Sequence, residues 1–206
     1  SYGLSGDDVT VQGDLNIVDG ELDLGTDELL CQGQINIGDG AGPGVAGKLR
    51  MYGACTLKVG TGILVDTDGT LQALGDTPTI TNTGTGYFSF AVNGTVDITA
   101  LNLSYVNSTG LDISAGATIV ALNKISFTNN EGLAGGQHLK LFRTGGGTYD
   151  FDGHYYDDTA PRNVWADGDG YATTINMYSW SGPGGGEDFE YETNGAAIEW
   201  HIDMVW

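Results

Sequence analysis

The stretch DLNIVDGELDL, residues 14–24, contains two short segments separated by an Asp-Gly pair. Hydrophobic residues alternate with polar ones on both sides of Gly20, at Leu15, Ile17, Leu22 and Leu24. A period of two is typical of a β-strand with one buried face. Glycine adopts positive φ at little steric cost, so we expect positive φ at this turn and at the similar pairs Asp68-Gly69 and Asn93-Gly94. The stretch therefore predicts a strand, a turn and a second strand.

The same pattern occurs four more times along the chain. The further copies are QINIGDGAGPGVAGKLRM (34–51), GILVDTDGTLQAL (62–74), FSFAVNGTVDI (88–98) and LDISAGATIVAL (111–122). Their turn glycines, with that of the first unit, are Gly20, Gly47, Gly69, Gly94 and Gly116, at spacings of 27, 22, 25 and 22 residues. A third short strand follows each unit, in ELLCQG, CTLKVG, TPTITN, LNLSYVN and NKISFTN.

Three short strands in about 22–25 residues predict a solenoid, since each unit can bury its apolar face only against its neighbours. The expected fold is an all-β, single-domain, right-handed parallel β-helix. A leucine-rich repeat has a similar period, but its leucine pattern is missing here. A β-sandwich remains an alternative, because its strands have a similar spacing.

The chain divides into three regions within one domain. Residues 1–8 form a short N-terminal end, residues 9–132 the regular coils, and residues 133–206 irregular coils with long loops and a C-terminal strand. Of 20 aromatic residues, 12 follow residue 148, including all four tryptophans. We expect an aromatic-rich C-terminal end that plugs the solenoid or presents rings to a ligand.

The charge of the chain is strongly one-sided. Seven Lys and Arg face 27 Asp and Glu, giving a formal net charge of -20. Such a field disfavours nucleic acid and anionic membrane surfaces as partners. It suits cations or a salty medium that screens self-repulsion. We expect no membrane insertion, because no apolar stretch approaches the length of a transmembrane helix.

The coils of residues 9–132, with the closing segments FDGHYYDDTAPRNVWADGDG (151–170) and GGGEDFEYETNGAAIEW (184–200), carry a family resemblance. The chain resembles the right-handed, pectate-lyase-like β-helix proteins of bacterial surfaces, especially large secreted repeat proteins rich in Gly, Asp and Thr. The resemblance implies an extracellular or cell-surface location. It does not select an activity, because adhesins, tailspikes and polysaccharide lyases share this class of fold.

The two cysteines, Cys31 and Cys55, lie 24 residues apart, close to one coil. Residues at equal positions on adjacent coils would be near enough for a disulfide, which an extracellular location favours. If the coils are aligned on Gly33 and Gly60, Cys31 instead faces Lys58. A disulfide and two buried thiols both remain open.

Acidic turns are candidates for Ca²⁺ binding. The pattern D-x-D-G occurs at 66–69, 150–153 and 167–170, and carboxylates spaced along a turn provide the oxygen ligands that Ca²⁺ prefers. The candidate ligands are Asp157, Asp158, Asp167 and Asp169. Asp and Gly are also ordinary turn residues, so a purely structural role is the alternative.

Exposed aromatic residues could bind a polysaccharide. Sugar rings stack on aromatic faces, and the candidate platform is Tyr155, Tyr156, Trp165 and Trp180. A lyase or hydrolase is a further alternative, for which Lys48, Arg50, Lys58, His138, Arg143 and His154 are the available groups. No recognised acid–base constellation joins them in the sequence.

The closing stretch IEWHIDMVW, residues 198–206, again alternates. A β-helix exposes unpaired backbone groups at both ends, and the eight residues SYGLSGDD make a poor lid for the first strand. The closing strand either pairs within the chain or adds to the next subunit. The predicted assembly interface is Val9, Val11, Ile198, Trp200, Ile202, Met204 and Trp206.

These observations predict a non-catalytic extracellular structural protein. The expected partners are copies of itself, joined end to end in a surface fibre, sheath or adhesive layer. A carbohydrate-binding adhesin module and a polysaccharide lyase or hydrolase are the alternatives. Ca²⁺ is the one cofactor that the sequence suggests.

Overall fold

A computed structural model describes residues 2–3, 6, 8–41 and 46–201. The chain is an all-β parallel solenoid of about seven turns, as the sequence predicts. Within the described residues the one helical element is a 3-10 turn, Glu187–Phe189. These residues contain no helix long and apolar enough to cross a membrane.

Three long sheets form the walls of the solenoid, and every neighbouring pair of strands is parallel. Sheet A contains, in spatial order, β1 (Tyr2–Gly3), β4 (Gly20–Asp23), β7 (Gly47–Tyr52), β10 (Thr70–Leu74), β13 (Thr95–Ile98) and β16 (Thr118–Leu122). Sheet B contains β2 (Val9–Val11), β5 (Glu28–Cys31), β8 (Thr56–Val59), β11 (Thr79–Asn82), β14 (Leu101–Ser104), β17 (Ile125–Thr128) and β20 (Tyr155–Tyr156).

Sheet C is the longest wall. Its strands are β3 (Leu15–Ile17), β6 (Gln34–Ile37), β9 (Gly62–Val65), β12 (Phe88–Val92), β15 (Val106–Ile113), β18 (Gln137–Phe142), β21 (Arg162–Asp167) and β23 (Tyr191–Thr193). A short sheet D contains β19 (Gly147–Asp152), β22 (Thr173–Tyr178) and β24 (Ala196–His201). Each predicted unit runs from sheet C to sheet A, and each predicted third strand lies in sheet B.

The core consists of columns of apolar side chains, one residue from each coil. In sheet B one column is Leu29, Leu57, Ile80, Leu103, Phe127 and Tyr156, each opposite the next in register. All six are at most 1% exposed. Because adjacent strands lie only about 4.8 Å apart, each inward side chain rests directly on its counterpart in the next coil.

Sheet D takes the place of sheet A in the last turns, since each of its strands follows a strand of sheet C along the chain. Arg143 lies at the change. Its Nη1 donates to the Ala117 carbonyl at 3.0 Å, and its guanidinium carbon lies 5.1 Å from the centre of the Tyr149 ring. The guanidinium therefore contacts the start of β16 and the side of β19, and these two strands do not join into one sheet.

Several corner glycines between sheets C and A are required, for two different reasons. Gly20 has φ of 82°, as predicted for the turn. Gly69 and Gly94 do not have positive φ, so that expectation is wrong for them. A Cβ on Gly94 would lie 2.0 Å from the Asp66 carbonyl oxygen and 2.4 Å from that of Gly69. Here the coil below approaches too closely for any side chain.

Of the two alternatives left open for the cysteines, the structure has the buried thiols, since Cys31 and Cys55 are both free and buried. The register pairs Cys31 with Val59, whereas Cys55 precedes β8. The Cys31 thiol donates to the Gly13 carbonyl at 3.2 Å. Burial raises the pKa of the Cys55 thiol to about 11. Both residues act as small apolar core side chains.

We predict that Gly94→Ala lowers the free energy of unfolding by about 2 kcal/mol or more, because the methyl group forces two backbone carbonyls apart. The matched control is Gly116→Ala, where an added Cβ has no neighbour within 4 Å. The control should stay within about 0.5 kcal/mol of the unchanged protein. Denaturant unfolding followed by circular dichroism measures both. Equal stability of the two variants would contradict the close approach at this corner.

Candidate functional site

Two ends of the solenoid and one outer face carry the groups with functional potential. We define the C-terminal mouth as Trp180, Glu190, Glu192, Ile198 and Trp200. Strands β23 and β24 are the last strands of sheets C and D, so their outer edges lie at this mouth. A hollow of about 350 Å³ opens there between Trp180, Trp200 and the 3-10 turn.

The two glutamates of the C-terminal mouth bind groups of β24. The backbone N–H of Ile198 donates to the Glu192 carboxylate, and the indole N–H of Trp200 donates to the Glu190 carboxylate. Burial raises the pKa of Glu190, and the charges of Glu192 and Glu187 raise it further, against the opposing effect of the Trp200 hydrogen bond. The edge of β24 is thus partly occupied by carboxylates of the same chain.

Aromatic rings fill the core beneath this mouth. Phe127 and Tyr156 stack at 5.3 Å between ring centres, and His154 is nearly parallel to both. Trp200 contacts Tyr156 edge to face at 6.1 Å and Trp180 at 5.3 Å. Tyr156, Trp180 and Trp200 of the aromatic-rich end predicted from the sequence therefore pack in or against the core.

This packing corrects the predicted sugar platform. Tyr156 is 0% exposed in the core column of sheet B, so it cannot offer a face to a ligand. Tyr155 points outward from β20 and is 37% exposed. Trp180 lies at the C-terminal mouth, and Trp165 lies on the outer face of sheet C. The four residues do not form one surface.

Trp165 belongs instead to a group that we call the outer aromatic column, on β18, β21 and β23. Its members are Lys140, Phe142, Arg162, Trp165 and Tyr191. Register places Lys140 beside Trp165 and Trp165 beside Tyr191. The Lys140 ammonium lies 5.2 Å from the centre of the Trp165 ring, and the Arg162 guanidinium carbon lies 4.0 Å from that of Tyr191. Sequence reasoning identified only Trp165 of this group.

The N-terminal mouth consists of Tyr2, Val9, Val11, Leu15 and Leu22. Except for the exposed Tyr2, these are the inward residues of the first coil, and they are only partly buried. A hollow of about 260 Å³ lies between Tyr2, Leu15 and Leu22. Val9 and Val11 of the predicted assembly interface are here, and Ile198 and Trp200 are at the opposite mouth. Ile202, Met204 and Trp206 lie outside the described residues.

The predicted calcium ligands are not brought together. Among the described residues no group of three or more His, Cys, Asp or Glu side chains could hold a metal ion. Asp157 accepts from the backbone N–H groups of Asn129 and Thr159. Asp167 accepts from Asn194, Thr193 and the N–H of Asp169, and Asp158 is exposed. The engaged carboxylates tie loops to neighbouring coils.

The basic groups considered for catalysis have structural partners. Lys48 and Arg50 pair with Glu21 at 3.4 and 3.8 Å, and Lys58 pairs with Glu28 at 2.8 Å. His138 is fully buried, with its Nε2 3.1 Å from the Asp157 carbonyl oxygen. Ion pairs and hydrogen bonds within the chain therefore engage these four basic groups.

His154 is enclosed by the core, and its Nε2 donates to the Leu122 carbonyl at 2.9 Å. Burial lowers the pKa of His154 to about 4, while the hydrogen bond to Leu122 and the charge of Asp152 oppose the shift. The neutral ring is one of the stacked rings of the core.

Comparison with known proteins finds no matching protein family, no similar curated protein and no similar solved structure. The class of protein is therefore defined by the fold alone, as a parallel β-solenoid. The functional proposals therefore rest on the geometry of the two mouths and of the outer aromatic column.

We predict that His154→Gln flattens the pH dependence of stability between about pH 6.5 and pH 4. The unfolded histidine takes up a proton below its ordinary pKa, whereas the folded one resists until about pH 4. Stability from this residue is therefore complete above about pH 6.5 and is lost as the pH falls, by about 2 kcal/mol or more.

Urea unfolding at several pH values measures this slope. His201→Gln is the control, because it removes a histidine whose side chain is 40% exposed. The remaining slope comes from carboxylates and from His138, whose pKa burial also lowers. Identical slopes for the unchanged protein and His154→Gln would show that this histidine titrates normally.

Proposed function

We propose that the chain is a non-catalytic, extracellular structural protein whose copies join end to end in a surface fibre, sheath or adhesive layer. The observation that carries the proposal is the match between the two mouths. The first coil presents the edges of β1, β2 and β3, and the last presents the edges of β23 and β24. All of these strands pair in parallel, and β3 and β23 are the two edges of one wall, sheet C.

Continuity of the walls supports a head-to-tail contact. A second copy placed on the C-terminal mouth would bring its own β3 onto β23, and the columns of sheet C would continue across the junction. Unpaired strand edges are templates for such addition. The contact joins two different surfaces, so it does not close on itself and produces filaments.

The net charge of the chain determines the ionic strength at which such contacts form. With a net charge of -20, copies repel one another at low ionic strength. Acidic residues flank both mouths, with Asp14, Asp19 and Glu21 at one end and Glu187 and Asp188 at the other. Salt or divalent cations such as Ca²⁺ would weaken this repulsion, which fits an extracellular location.

We predict that Val9→Asp and Val11→Asp reduce end-to-end assembly by at least tenfold, because each adds a charge to the apolar N-terminal mouth. Val120→Asp is the matched control, since Val120 is 64% exposed on β16, away from both mouths. Light scattering after size exclusion and negative-stain microscopy at about 0.5 M salt measure assembly. Circular dichroism verifies the fold of each variant. A chain that stays monomeric at all ionic strengths and pH values would contradict the proposal.

The second candidate is a carbohydrate-binding adhesin module, and the outer aromatic column is the observation that favours it. Trp165 and Tyr191 lie side by side on an outer wall, with Arg162 beside them. Stacking rings flanked by a cation suit sugars that carry a carboxylate. Glycan-array binding that is lost in Trp165→Ala but kept in Tyr87→Ala, an exposed tyrosine on another part of the solenoid, would support it.

A further inference from the structure

The last strand of sheet C, β23, has charged side chains on its inward face, where the strands of the preceding coils have apolar ones. One inward column of this sheet is Ile17, Ile37, Val65, Val92, Ile113, Leu141 and Ala166, and register places Glu192 next. The outward column places Tyr191 after Trp165. Alternation puts Glu190 on the same face as Glu192. Two carboxylates therefore follow the core columns where the other coils have aliphatic side chains.

Their hydrogen bonds show that both carboxylates reach across the mouth. Glu192 accepts from the Ile198 backbone N–H, and Glu190 accepts from the Trp200 indole. Ile198 and Trp200 belong to the inward columns of sheet D, opposite Ile175 and Met177. The Ile198 N–H is directed away from β22, toward the edge that a further strand would need.

We infer that the C-terminal mouth is a proton-controlled interface for a second copy of this chain. Ionised Glu190 and Glu192 prevent a neighbouring copy from binding at this mouth. Their neutralisation allows the N-terminal mouth of that copy to stack on it. This inference rests on the proposed function and adds its regulation.

The physical basis is the cost of burying charge. A second copy would cover the two carboxylates with its own Leu15 and Ile17, an apolar surface that offers no cation. Burying an unpaired ionised carboxylate is strongly unfavourable, whereas a protonated one costs far less. The ionised Glu192 also competes for the Ile198 N–H that the incoming strand requires.

The charged groups around the two glutamates reinforce this control. Glu187 and Asp188 lie on the adjacent 3-10 turn and Asp167 ends β21, whereas Glu199 and His201 of β24 lie on its outward face. On the incoming side the first coil contributes Asp14 and Asp19, whereas Glu21 is paired with Lys48 and Arg50 of the next coil. Among the described residues of β23 and β24 there is no Lys or Arg, and Arg162 lies over the outward ring of Tyr191.

The direction of the pH effect follows from proton linkage. Burial and the neighbouring carboxylates already raise the pKa of Glu190 in the single chain. Stacking raises it further, so the assembled state binds more protons than the free chains. Association therefore strengthens as the pH falls, by about tenfold per pH unit for each proton taken up at a junction.

The test uses the full chain with a chelator in every sample, so that metal ions do not replace protons. Sedimentation velocity and negative-stain microscopy compare the unchanged protein at about pH 7.5 and about pH 5.5. The double variant Glu190→Gln/Glu192→Gln keeps the shape and one acceptor oxygen at each position but removes both charges. Glu199→Gln is the matched control, because Glu199 lies on the outward face of β24 and its side chain is 59% exposed.

We expect the double variant to form linear assemblies at about pH 7.5, with at least tenfold tighter association than the unchanged protein, while Glu199→Gln remains unassembled. The unchanged protein should reach that behaviour only at the lower pH. If the unchanged protein assembles equally at both pH values, the proton control is wrong and the proposed function stands. If no sample assembles at any pH or salt concentration, the proposed function fails as well.

Discussion

Register between coils is the constraint on which the whole molecule depends. Each strand lies directly on its counterpart in the preceding coil. Each residue must therefore fit both its own position and the residue at the same position one coil earlier. Inward columns satisfy this with aliphatic and aromatic side chains. The corners satisfy it with glycine, because at Gly47 and Gly94 a Cβ would strike a carbonyl oxygen of the preceding coil. The position of a residue in the stack of coils therefore determines which residue types are tolerated there.

Much of the fold could be predicted because register leaves a periodic signal. The alternation around the corner glycines and the third strand after each unit identify all three walls in residues 9–132. Details that depend on register between particular coils could not be predicted. Cys31 and Cys55 are one sequence period apart, yet Cys31 faces Val59, since Cys55 lies in the corner before β8. Average spacing does not determine register where coils differ in length.

The last third was predicted less well, for a related reason. Aromatic content alone does not say whether a ring faces the core, and Tyr156 and Trp165 have opposite orientations. Only pairing with the coil below separates them, since Tyr156 follows Phe127 inward and Trp165 follows Lys140 outward. The segment EYET at 190–193 carried a usable signal, because its alternation resembles a strand. Reading the tyrosine as inward, by hydrophobicity, gives the wrong face.

The inward orientation of Glu190 and Glu192 on the last strand of sheet C connects the fold to its proposed function. A solenoid whose last coil matched all the others would present an apolar core and open strand edges to any neighbour, including misfolded ones. Inward charges on an edge strand are a known protection against such contacts. Glu190 and Glu192 provide this protection with groups whose charge depends on pH. The N-terminal mouth has aliphatic side chains at the corresponding positions, so the control of a junction resides on one side only. Neutralising the two glutamates on that side is enough to alter the junction.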